Sequence, residues 1–273
     1  MCVLVLTFLL VFTHASARSP HCCAADGVLA WRRPCLARVI DRCQKGHAHC
    51  KRAGVYQFGV FTGQSMRGVS LALAQSNVSY GAMYGFDSFD GLPDIEGGSA
   101  FAACSGGVCG WRRGAYNATD AAKTCGCLSQ GFTEGVSLPK RLAKYIGDAR
   151  IVWVPGWFDA SLTDALARRL APALYVDIDT DLYSSAATAL NWLFSHGLVQ
   201  PGSVIGYDDW ATGGKKGEQR AHREAELSYR ASFRRVDGSN PRQPCFEVIS
   251  IGESRRETTR PLAPGGQSHR TSS

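Results

Sequence analysis

Two short clusters of acidic residues carry the most specific chemistry in this sequence. Asp177, Asp179 and Asp181 alternate through ALYVDIDTDLYSS, and Asp208 and Asp209 stand together in SVIGYDDW. Each cluster follows a short apolar run introduced by Pro or Gly, residues 173–178 and 202–207. Such runs read as strands buried on both faces. Side chains alternate along a strand, so the three acids share one face wherever the extended conformation persists. Acids at the carboxyl ends of neighbouring parallel strands meet at the crevice where open α/β sheets bind ligands. Crowded carboxylates raise one another's pKa unless a proton or cation intervenes. The pattern points to a hard-metal site.

Two further stretches bear on the same crevice. Phe58-Gly59-Val60-Phe61-Thr62-Gly63-Gln64-Ser65 ends the first predicted strand, and its glycines allow a ligand close to the backbone before a sharp turn into a helix. The spacing is not GxGxxG, so the standard dinucleotide fingerprint is absent. Tyr84-Gly85-Phe86-Asp87-Ser88-Phe89-Asp90-Gly91-Leu92-Pro93 ends the second strand. An acid there, Asp87, is placed to accept hydrogen bonds from a ribose diol, while Asp90 suits the turn at Gly91 and Pro93.

The ordered series FGVFTGQS, YGFDSFDGLP, VPGWFDASL, VDIDTDLYSSAATAL, SVIGYDDW and GEQRAHREA resembles the macrocin O-methyltransferase-like family, class I S-adenosylmethionine-dependent methyltransferases. The resemblance spans about residues 54–225. It implies a Rossmann-like α/β fold, with Phe58, Gly59, Gly63, Ser65, Asp87 and Ser88 around S-adenosylmethionine. It also implies Asp179, Asp208 and Asp209 as magnesium ligands and Asp181 as the general base that deprotonates a sugar hydroxyl. Asp177, near the strand's end, is read as structural. Gln57 stands where many relatives carry an acid. Trp210 and His222 are candidates for the acceptor pocket, against the plainer readings of an interfacial aromatic and a solvated helix residue. The implied acceptor is a small molecule or glycan. Asp179-Thr180-Asp181 alone also suits a metal-dependent glycosyltransferase, and a non-catalytic binding module on the same fold is a further alternative. There is no HExxH and no GxSxG.

Elements that position these residues follow from patterning. Strands are expected at Val55–Phe61, Ala82–Phe86, Ile151–Val154, Ala173–Ile178 and Ser203–Tyr207, then Ser232–Asp237 and Cys245–Ile251 as an antiparallel edge hairpin turning at Gly238-Ser239-Asn240-Pro241. Helices are expected at about Pro34–Gln44, Ser65–Gln75, Pro139–Tyr145, Ser161–Leu170, Ser184–Ser195 and Gly217–Tyr229, with Ser65, Ser161 and Ser184 as N-caps. This alternation predicts a mostly parallel sheet with helices on both faces.

The 273 residues suffice for one full core, and the +7 net charge shows no basic stripe interleaved with aromatics, so nucleic-acid binding is not expected. Residues 1–17 (MCVLVLTFLLVFTHASA) have the shape of a cleavable signal peptide, and no later segment is apolar enough to span a bilayer. Ten cysteines follow Cys2: Cys22, Cys23, Cys35, Cys43, Cys50, Cys104, Cys109, Cys125, Cys127 and Cys245. Their even number fits disulfides in the secretory pathway. Asn77 and Asn117 sit in glycosylation triplets. Zinc at Cys43, His47, His49 and Cys50 is the weaker reading, because the spacing matches no standard finger. The expected organisation is a Cys-rich N-terminal segment (18–50), a methyltransferase domain (51–252) with a disulfide-held insert of little periodicity (94–131), and a disordered tail (253–273).

Overall fold

The computed structural model describes residues 29–46, 50–93, 113–129, 135–212 and 214–252. The expected signal peptide and tail, much of the insert, and His47 and His49 lie outside them. Seven strands form one sheet: β1 (Gly54–Phe58), β2 (Met83–Asp87), β3 (Ile151–Pro155), β4 (Ala173–Ile178), β5 (Val204–Tyr207), β6 (Ser232–Arg235) and β7 (Cys245–Ser250). Their order is β3-β2-β1-β4-β5-β7-β6. The first five are parallel, and β7 pairs antiparallel with both β5 and β6. The chain moves outward from β1 to β3 and then restarts at β4 on β1's other side. The β1–β4 boundary is therefore the topological switch point, where a crevice opens beyond the strands' carboxyl ends.

Period-two alternation divides the core. Val55, Met83, Tyr175 and Val204 point to one face, where they meet helices α1 (Arg32–Gln44), α2 (Gln64–Gln75) and α5 (Leu138–Ile146). Tyr56, Phe86, Val176 and Ile205 point to the other, covered by α6 (Phe158–Ser161), α7 (Asp164–Ala167), α8 (Tyr183–Ser195) and α9 (Glu218–Ser228). All of β4 is buried, as its unbroken apolar run requires. No helix among the described residues is long and apolar enough to cross a membrane.

Several expectations need correction. The first strand ends at Phe58, because Gly59 takes a φ of +82° and turns the chain away from the sheet. The predicted serine caps are not used. α2 starts after Gly63 in the left-handed region, and α8 follows Leu182 without a side-chain cap. The single helix expected over Ser161–Leu170 is two short ones, the second capped by Thr163, whose hydroxyl accepts the Leu166 N–H at 3.1 Å. The insert carries two helices, α3 (Ala118–Thr124) and α4 (Gly126–Ser129), rather than an aperiodic loop. Its Asn117 carboxamide caps α3 by accepting the Asp120 N–H.

Within the expected N-terminal segment, α1 packs into the sheet's core, where Cys35, Leu36 and Val39 are buried. Disulfides join Cys35 to Cys245 and Cys43 to Cys50, and Cys125 and Cys127 are also disulfide-bonded. Two of the four proposed zinc ligands are thereby consumed. A carboxylate fastens α1 a second time: Glu247 on β7 is buried and accepts from Arg38 (2.8 and 3.1 Å), Arg42 (3.0 Å) and Arg234 (2.6 Å).

Candidate active site

A cavity of about 260 Å³ sits over the switch point. One wall is the loop after β1, Gly59 to Thr62, with Gln64 and Ser65 of α2; a second is Asp87 and Ser88 after β2; the floor is Asp179, Thr180, Asp181, Asp208 and Asp209. The ladder carries the strands to this floor. The Asp179 N–H donates to the Phe58 carbonyl, and the Asp208 N–H donates to that of Ile178. Gly59 is required by close approach as well as by its φ: an added Cβ would lie 1.8 Å from the Asp179 carbonyl oxygen. Asp181 also takes a left-handed φ, +60°, so the extended conformation does not persist to the third acid. Strain of this kind is found where a side chain's placement is functional.

Asp87 organises the loop. One carboxylate oxygen accepts the Val60 and Phe61 N–H groups at 2.7 and 2.9 Å, and the other accepts the Phe89 N–H at 2.6 Å. A carboxylate has about four acceptor sites, so one remains for a ligand hydroxyl. Gln57, at the position where an acid was expected, is buried and donates to the Gly59 carbonyl at 2.8 Å, pinning the same loop. The structure does not bring every expected residue to the wall. Phe58 is fully buried and stacked on Phe86 at 4.4 Å, and Gly63 packs toward Leu142 and Ile146.

One carboxylate oxygen from each of Asp179, Asp208 and Asp209 lies within 4.8 Å of the others. Asp181 hydrogen-bonds to Asp209. Burial, with Asp208 next in weight, holds the Asp179 carboxyl well above its ordinary range. Burial and the charges of Asp181 and Asp208 push Asp209 up to about 8. Two charged residues enter this site unannounced by the sequence. Glu218, at the start of α9, is fully buried; one oxygen accepts the Asp209 N–H at 3.0 Å and the other has no partner among the described residues. Arg32 of α1 is buried and donates to Asp177 at 2.6 and 3.3 Å and to Asp179 at 3.0 Å. Asp177 is thus structural, as expected, through a partner 145 residues away. Tyr116 was missed as well; it lines the cavity, and burial and the surrounding acids push its hydroxyl up to about 12.

Trp210 and His222 are not part of the cavity wall. They pack on Tyr207 and Phe246, and His222 also against Phe233. The His222 Nδ1 lies 2.9 Å from the Tyr207 hydroxyl, and burial lowers its pKa to about 4. Hydrophobic periodicity reveals such a histidine poorly, because the only apolar residues on its face of α9 are the small Ala221 and Ala225.

The acidic residues around the floor far outnumber the arginine among them. Their ligand atoms are all oxygen, the carboxyls of Asp179, Asp209 and Glu218 are held above their ordinary range, and one buried oxygen of Glu218 has no partner among the described residues. These features fit a hard divalent cation such as magnesium. No family model and no curated protein matches this sequence. Solved structures do. The calicheamicin methyltransferase CalS11 superposes with a TM-score of 0.55 at 16% identity, over 81% of this chain and 78% of that one. The O-methyltransferase NovP gives 0.52 at 18%, over 82% and 79%. This chain shares the Rossmann-like α/β fold of these two methyltransferases. At these identities the likeness speaks for the fold, and the site must be argued from its own residues.

Proposed function

We propose that this chain is an S-adenosylmethionine-dependent O-methyltransferase that uses magnesium to methylate a hydroxyl of a sugar or other polyol. The observation that carries it is the cavity that the Asp87-organised loop shares with the Asp179–Asp181–Asp208–Asp209 floor. The loop from Gly59 to Thr62 and the remaining acceptor site of Asp87 would hold the cofactor's ribose side. Asp179, Asp208 and Asp209 would hold the cation, with Glu218 orienting Asp209 from behind. When bound, the cofactor supplies an electrophilic methyl group and the metal makes a bound hydroxyl more acidic. Asp181, fixed beside Asp209, takes the hydroxyl proton. The protein's remaining task is alignment for direct displacement. Disulfides at Cys35–Cys245 and Cys43–Cys50 support passage through the secretory pathway.

The test is methyl transfer from labelled cofactor onto glycan and polyol pools, with mass spectrometry of the products. Asp181→Asn keeps the side chain's shape and tolerates the left-handed backbone. It abolishes transfer while thermal stabilisation by S-adenosylmethionine survives. Near-normal turnover in that variant removes the base assignment. Stabilisation by nucleotide sugars in place of S-adenosylmethionine would turn the assignment to glycosyl transfer.

A further inference from the structure

The N-terminal helix places a permanent positive charge against the acids proposed above as metal ligands. Arg32 is 1% exposed. Its Nε and one Nη engage both oxygens of Asp177; that Nη also donates to Asp179 at 3.0 Å, and the other Nη lies 3.9 Å from Asp208. The Trp31 ring packs on the guanidinium at 4.2 Å from its centroid. Gln243 donates to the same Asp208 oxygen at 2.8 Å. Two of the three candidate ligands therefore have one oxygen engaged by protein donors, which leaves the other for a cation. The position of Arg32 is enforced. One turn along α1, Cys35 is bonded to Cys245, which pairs with Gly206 two residues before Asp208.

We propose that Arg32 is a resident counter-ion and positioning residue that sets how strongly the Asp179–Asp208–Asp209 cluster holds a divalent cation. The inference rests on the metal-dependent reading of that site and adds α1 to it. A guanidinium hydrogen-bonded to a ligand carboxylate repels a cation on the same carboxylate, and little solvent screens a buried pair. Asp177 tempers that repulsion by holding the guanidinium in a buried ion pair. Removing the pair as a unit must tighten cation binding, whereas removing Asp177 alone must weaken it. Opposite signs distinguish this role from simple support of the fold, which would weaken binding in both cases or change neither.

The experiment is calorimetric titration of the disulfide-intact protein with manganese chloride, alongside S-adenosylmethionine binding. Arg32→Met/Asp177→Val replaces the buried pair with apolar groups, an exchange that folded proteins commonly accept. It is expected to bind manganese at least tenfold more tightly than the unmodified chain, about 1.4 kcal/mol. Asp177→Asn is expected to bind at least tenfold more weakly. Arg32→Lys, which keeps the charge, stays within threefold and serves if the double variant does not fold; a tenfold gain in it overturns the proposal. So does weaker binding by the double variant, or affinities within threefold across the whole set. Manganese binding by none of the proteins, with S-adenosylmethionine still bound, also overturns it and leaves a metal-independent methyltransferase. Failure of the unmodified chain to bind S-adenosylmethionine counts against the function, and the manganese arms decide Arg32 independently.

Discussion

Glu247→Gln offers a quantitative check on how α1 is held over the site. Burial opposes ionisation of Glu247, but hydrogen bonds from Arg38 and Arg234, the charge of Arg38 and a further bond from Arg42 outweigh it. The carboxyl falls from its ordinary 4.5 to about 2. A depression of that size corresponds to about 3 kcal/mol of stability. The sign follows from proton uptake. Between these two values the unfolded chain binds the proton and the folded one does not, so the contribution is complete above about pH 4.5 and is lost on approach to pH 2. By pH 3.5, about 1.4 kcal/mol of it is gone. Urea denaturation at pH 7, 5 and 3.5 should show Glu247→Gln less stable by about 3 kcal/mol at the first two values and by about half that at the third. Groups common to both proteins, such as His222, cancel in the difference. A gap that stays constant from pH 7 to 3.5 refutes the electrostatic account and makes Glu247 a packing residue.

Gly59→Ala should cost about 2–4 kcal/mol and abolish transfer, because the new Cβ meets the Asp179 carbonyl and the residue must hold a positive φ; unfolding and turnover measured on the same preparation decide it, and a stable, active variant counts against the close approach. The two described disulfides should differ in weight. They close loops of 210 and 7 residues, for which chain entropy alone gives roughly 5 and 2 kcal/mol. Cys35→Ser/Cys245→Ser should therefore lower the urea midpoint more than Cys43→Ser/Cys50→Ser, and equal losses would contradict that account.

Legibility in the sequence followed the range of the interaction. β4 and β5 were readable because an unbroken apolar run ending in acids has few alternatives, and their parallel pairing set Asp179 beside Asp208. The end of β1 was misread by three residues because Val60 and Phe61 look like strand, while the deciding fact is a backbone turn tied to Asp87 across the crevice. Ser65 looks like a cap in any local window, yet Gly63 starts the helix two residues earlier and leaves Ser65 on the cavity wall. Glu218 was lost within a charged helix, since nothing local distinguishes the one carboxylate that turns inward.

Arg32 shows why the rest of the site was hidden. In RRPCLARVIDRCQ it is one of several arginines on a helix with a weak apolar stripe, and its burial depends on acids that arrive 145 residues later. The acids are equally incomplete alone. Asp177 on a fully buried strand costs too much to ionise unless a cation meets it, so β4 and α1 each carry a charge that only the other can accommodate. Cys35–Cys245 and the Glu247 cluster fasten α1 to β7, two strands along the sheet from β4. α1, drawn from the expected Cys-rich N-terminal segment, thus brings to Asp177 and Asp179 a cation from outside residues 51–252.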